Sequence, residues 1–212
     1  RNVEALPPDL PPGYHDLLPL DGGPTTRVVV TPGRCHLPPE LCTWGWAVQL
    51  YAARSKASWG IGDLADLARL QSWAAAQGAG VLAINPLHAG GPAHPQQDSP
   101  YYPSSRCFRN PIYLRVEHAP GASGVADLER LAAAGRALND QRIIERDRVW
   151  ALKREALVAC FGVAGEDPGF DRWAGEQGEP LLRFATYCAI ADEHGFDADL
   201  PAQVRGGIRK AS

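Results

Sequence analysis

The sequence predicts an α/β fold: the opening part of a (β/α)8 barrel, its first βαβ unit, with a helical insertion, preceded by the last hairpin of a truncated β-domain. Three observations predict it. Apolar segments at 47–52 and 81–84 flank a capped amphipathic helix, and strand–helix–strand with short links is the βαβ unit of a parallel sheet. A turn signal, DGGP at 21–24, sits between two strand-like segments further upstream. A helical block begins near residue 125, where an uninterrupted barrel would place its third strand.

Residues 1–12 are proline-rich and irregular by composition. The segments 13–20 and 27–31 read as a hairpin, the second favoured by Val28, Val29 and Val30. One hairpin is marginal alone, so earlier strands are expected to complete it. PGRCHLPPELCT, 32–43, reads as a linker. Asp63 is placed to cap a helix whose apolar stripe is Leu64, Leu67, Leu70, Trp73 and Ala74, with Gly78 to end it. The segment 81–84 is apolar without alternation, which predicts a strand covered on both faces. The stretch 85–111 is too long and patterned for a plain connector, and 112–117 reads as a short strand. Helices are predicted over 125–138, 144–161 and 180–194, with a short turn at 170–173. The face of the second is Val149, Leu152, Ala156, Leu157, Cys160 and Phe161, with Gly162 after it.

The 212 residues suit one large domain or two small ones, and 45% hydrophobic with 21% charged residues suits a globular chain. A formal net charge of −3 gives no reason to expect nucleic acid. No apolar run suits a membrane span and none suits a secretory signal, so no membrane partner and a cytoplasmic location are expected. The five cysteines, unpaired in spacing, fit free thiols. His88 with His94, and Cys35, His36 and Cys42, lack zinc-site spacing, so no metal is expected. The chain has no Met and ends in the polar run RGGIRKAS, from which a piece of a longer protein is expected.

Five segments carry a family resemblance: VQLYAARSKASWGIGDLADL, INPLHA, SPYYPSSRCFRNPIYLRVE, RVWALKREAL and LLRFATYCAIADEHG. Together they resemble the 4-α-glucanotransferases (amylomaltases) of glycoside hydrolase family 77, nearest the bacterial maltose-utilisation form with an N-terminal extension. The resemblance implies transfer of α-1,4-glucan segments to glucose or maltooligosaccharide acceptors by a retaining double displacement. It implies α-1,4-glucans as partners and no cofactor. Such chemistry needs two carboxylates about 5 Å apart. By the resemblance these lie beyond residue 212, so no catalytic residue is assigned and the chain alone is expected to be inactive.

What the resemblance does carry over is a sugar-contacting loop. It implies that Tyr101 packs on a glucose ring, that Ser99 bonds a sugar hydroxyl and that Asp98 shapes the loop. It also implies a division into 1–43, the end of a β-domain with its linker; 44–117, the first barrel strands and helix with the substrate loop; and 118–212, an incomplete helical insertion. A non-catalytic glucan-binding protein derived from the family is the alternative. Other residues read more plainly. Arg106 and Arg109 suit surface ion pairs, Asn110-Pro111 a turn, and Trp73 the core. Trp59 is kept as a surface candidate for stacking.

Overall fold

The computed structural model describes residues 5–195. The polar run at 205–212 lies outside them, as does the end of the predicted helical insertion. The chain divides into two compact units, Arg1–Cys42 and Thr43–Ser212.

In the first unit, β1 (Gly13–Leu17) and β2 (Thr26–Val30) pair antiparallel, with Gly13 opposite Val30 and Leu17 opposite Thr26. The connection turns where DGGP predicts it. The Gly22 N–H donates to Pro19 O, the Gly23 N–H to the Asp21 carboxylate, and Gly22 takes a left-handed φ of +79°. Residues 32–43 form neither strand nor helix.

In the second unit, β3 (Gly45–Val48) and β4 (Val81–Ile84) are parallel, with Gly45 opposite Val81 and Val48 opposite Ile84. The helix between them, α1 (Leu64–Ala76), starts where Asp63 accepts the Ala65 and Asp66 N–H groups. Asp66 reaches back to the Asp63 N–H, closing a capping box that contributes about 1 kcal/mol. Gly78, at φ +82°, follows the last turn.

Three predicted strand features are corrected. The first strand ends at Val48; Leu50–Ala52 is a 3-10 turn. The Leu50 N–H goes to the Asn85 side chain, and Ala52 and Ala53 bond back to Gln49 and Leu50, so no ladder partner remains for them. The second strand is not covered on both faces: its exposure alternates, and Val81 is 50% exposed. The segment 112–117 is not a strand. Pro111–Tyr113 and Val116–His118 are 3-10 turns, the first started by Asn110, whose side chain accepts the Ile112 N–H. The strand of this region lies earlier, inside the long loop, where β5 (His88–Ala89) pairs antiparallel with β6 (Ser105–Arg109).

The helical block holds α2 (Leu128–Ala137), α3 (Arg146–Ala164) and α4 (Pro168–His194). Gly178, at φ +63° and ψ −148°, is not helical and divides α4 into two helices, the first over the turn predicted near 170 and the second over the helix predicted from 180. Gly162 lies within α3 rather than after it, and the helix stops before Gly165. Its buried face is Val149, Lys153, Ala156 and Cys160; Phe161, predicted on that face, is 77% exposed. One residue rotates a helix by about 100°, which turns Phe161 away from the side that Cys160 buries.

Two buried clusters join the helices to the βαβ unit. Leu50, Ile61, Ile112, Tyr113, Leu138, Val149 and Trp150 form one, and Trp59, Val116, Ala122, Leu131, Ala132, Ala156 and Cys160 the other. The two tryptophan readings are therefore exchanged. Trp59 is 1% exposed and core, its indole against Gly135, where a Cβ would come within 2.6 Å of the ring. Trp73 is 49% exposed, tilted against Trp46 at 5.3 Å. Among the described residues no helix is long and apolar enough to cross a membrane.

Candidate functional site

The parallel strands β3 and β4 run side by side, and the ligand face of such a sheet lies beyond their carboxyl ends. Asn85, directly after β4, is buried and ties those ends together. Its Oδ1 accepts the Leu50 N–H at 2.7 Å, and its Nδ2 donates to Pro86 O at 2.9 Å and to the Tyr113 hydroxyl at 3.1 Å. Burial pushes the Tyr113 hydroxyl above its usual pKa against the Asn85 bond, so it stays a neutral partner.

From there the chain runs through β5 into the loop 90–104 and back through β6. Ser104 closes the base of this loop: its N–H donates to Ala89 O, and its hydroxyl to the carbonyls of Ala89 and Gly90. At the tip the three expected site residues share one turn. The Ser99 hydroxyl accepts the Tyr101 N–H at 3.3 Å, and Ser99 O accepts the Tyr102 N–H at 3.3 Å. Tyr101 is 63% exposed and the Asp98 side chain 93%. A polar cleft of about 500 Å³ opens beside the turn, within the size range of small-ligand sites. Asp98, Tyr102, Ser104 and Tyr187 line it; Ser99 and Tyr101 do not.

The start of α1 holds a buried ionic network. Asp63 is fully buried and takes two bonds from Arg115, Nε at 2.6 Å and a terminal nitrogen at 3.0 Å. The same guanidinium reaches Asp66 at 3.3 Å, and the Ser58 hydroxyl donates to Asp66 at 2.6 Å. Burial pushes the Asp66 carboxyl up, but the bonds from Ser55, Ser58 and the Asp63 backbone and the Arg115 charge together hold it below its usual value. Burial likewise pulls Arg115 down, and its carboxylate partners more than restore it. These two aspartates are the nearest thing to a carboxylate pair in the core, and both are committed to Arg115. Asp63 is the helix cap that the sequence predicts.

Lys153, also fully buried, donates to the carbonyls of Ile112 at 2.7 Å and Leu114 at 2.8 Å. Burial lowers its pKa to about 8. It binds the 3-10 segment after β6 to α3. Sequence reading passed over Lys153, Asn85 and the first turn of α3. A signal existed for Lys153: it stands four residues after Val149 on an otherwise apolar stripe.

An α/β fold of the amylomaltase kind is what these elements make. The crystal structure of amylomaltase from Corynebacterium glutamicum superposes with a TM-score of 0.72 at 31% identity, over 97% of this chain and 32% of that one. Residues 48–203 match the family described as 4-alpha-glucanotransferase, and the chain belongs to that family. The 4-alpha-glucanotransferase of Mycobacterium tuberculosis (strain H37Rv) is 44% identical across 91% of this chain, and that of Haemophilus influenzae 34% across 85%. In both cases the chain spans 29% of the relative's length.

Proposed function

We propose that the protein carrying this chain disproportionates α-1,4-glucans. A donor segment is transferred to the 4-hydroxyl of glucose or of a maltooligosaccharide by retaining double displacement. The match of residues 48–203 to the 4-alpha-glucanotransferase family, which spans the exposed turn 98–102, carries this reading.

In it, Tyr101 packs its ring on the apolar C–H face of a glucose unit, a contact that needs no hydrogen bond. The Ser99 hydroxyl oxygen already accepts the Tyr101 N–H, which leaves its own proton for a sugar oxygen. Asp98 shapes the loop at the rim of the cleft, its carboxylate 3.8 Å from Arg146. As the resemblance implies, the nucleophile and the acid/base, about 5 Å apart in a retaining site, belong to a part of the protein outside residues 1–212. The layout follows: 1–43 closes a β-domain and links it, 44–117 opens the barrel, and 118–212 belongs to a helical insertion. Five free cysteines suit a reducing compartment, and we place the protein in the cytoplasm.

Incubating the protein expressed from its complete coding region with maltotriose yields glucose and longer oligomers. An unchanged maltotriose profile overturns the reading. Tyr101→Ala lowers kcat/KM on maltodextrins by about 1–3 kcal/mol of lost ring burial. An unchanged kcat/KM removes Tyr101 from the site and leaves the activity standing.

A further inference from the structure

The turn that carries Asp98, Ser99 and Tyr101 is exposed, and exposed loops bury too little apolar surface to hold one conformation by packing. What holds it is the first turn of α3. Asp147 Oδ1 accepts the Gln96 N–H at 2.7 Å and meets His94 Nδ1 at 2.9 Å. Trp150, one turn on, donates its indole N–H to Pro92 O at 3.1 Å. Arg146 stands 3.8 Å from the Asp98 carboxylate, with its guanidinium 5.0 Å from the centre of the Tyr51 ring. Trp150 stands one turn from both Asp147 (i,i+3) and Arg146 (i,i+4), and the three residues grip the loop at 92, 94, 96 and 98. Gln96 then braces the loop from inside, its amide donating to Gly91 O and Ala93 O at 3.0 Å each.

We propose that Asp147 is a positioning residue: from the first turn of α3 it fixes residues 92–98, and so presents Asp98, Ser99 and Tyr101 to the glucan in one geometry. The proposal rests on the glucan reading of that turn. A carboxylate suits the place, since the N-terminal end of a helix favours negative charge. The Gln96 N–H and then His94 hold the Asp147 carboxyl below its usual value, so it is an acceptor at neutral pH. Asp147 lies in the helical block, remote in sequence from the loop it orders. The block thereby acts on the site without touching the sugar.

The test uses the protein expressed from its complete coding region, with hydrogen exchange and steady-state kinetics on maltotriose. Asp147→Ala is expected to speed amide exchange over 93–101 by about tenfold, the worth of one net hydrogen bond. Exchange in α1 is expected to stay as it was, and KM to rise several-fold with little change in kcat. Asp147→Asn, which keeps an oxygen acceptor for Gln96, restores both. Unchanged loop exchange in Asp147→Ala overturns the proposal, as does faster exchange with unchanged KM. So does an Asn variant as impaired as the Ala variant. Should Asp147→Ala unfold the protein, Asp147→Ser, which suits a helix N-terminus but is too short to hold the Gln96 N–H, carries the same readouts. If the unaltered protein ignores maltotriose, the glucan reading fails, and with it the presentation of the turn to a sugar; the exchange arm alone then still decides whether Asp147 orders the loop.

Discussion

Arg115→Met isolates the buried ionic network. The Met side chain keeps most of the packing volume and removes the charge. What remains is Asp63 at 0% exposure and Asp66 at 3%, both deprived of the guanidinium that bonds them at 2.6, 3.0 and 3.3 Å. Removing one partner of a buried pair costs about 3–5 kcal/mol, because the other charge stays buried and unpaired. That is a large part of the 5–15 kcal/mol a domain typically has. With a urea slope of about 2 kcal/mol per molar, the unfolding midpoint falls by roughly 2 M. The pH dependence gives a second readout. In the unaltered protein the Asp66 pKa is held low, so its contribution is present above the unfolded carboxylate pKa and is lost as pH falls through the folded value. In Arg115→Met the bonds from Ser55, Ser58 and the Asp63 backbone remain but the Arg115 charge is gone, so the Asp66 carboxyl protonates more readily than in the unaltered protein and the deficit shrinks on acidification. Adding Asp66→Asn to Arg115→Met removes one of the stranded charges and recovers part of the loss. A midpoint shift below about 0.5 M, or a deficit that grows with acid, refutes this account of the core.

Two further outcomes are expected. The Lys153 pKa is lowered to about 8, so the folded state holds fewer protons than the unfolded state between that value and the ordinary lysine pKa. Stability should then rise with pH across about 8 to 10.5 relative to Lys153→Met, in which the slope disappears; parallel pH–stability curves for the two proteins count against it. Trp59→Ala should cost about 3–5 kcal/mol, as a fully buried indole does, and Trp73→Ala well under half of that; equal losses in urea melts would contradict the burial of one and the exposure of the other.

What the sequence by itself determined is what neighbours in the chain decide. The Asp63 cap and Gly78 on either side of α1 and the DGGP turn of the hairpin each act on backbone groups within a few residues, and each is legible as a short pattern. The parallel pairing of β3 and β4 follows from the length of the helix between them. Tertiary structure decided whatever depends on remote partners. Leu50 leaves the strand because Asn85, 35 positions away, takes its N–H. The carbonyls of Ile112 and Leu114 turn to Lys153 instead of a ladder. Trp59 is buried because α2 offers it Gly135, while Trp73, on an apolar stripe of its own helix, stays 49% exposed with Trp46 tilted against it. The loop with Asp98, Ser99 and Tyr101 was visible as a pattern, yet its anchor, Asp147, is read only from the fold. A hydrogen bond between residues 51 positions apart leaves no periodicity in the chain, since its geometry exists only once both segments are packed.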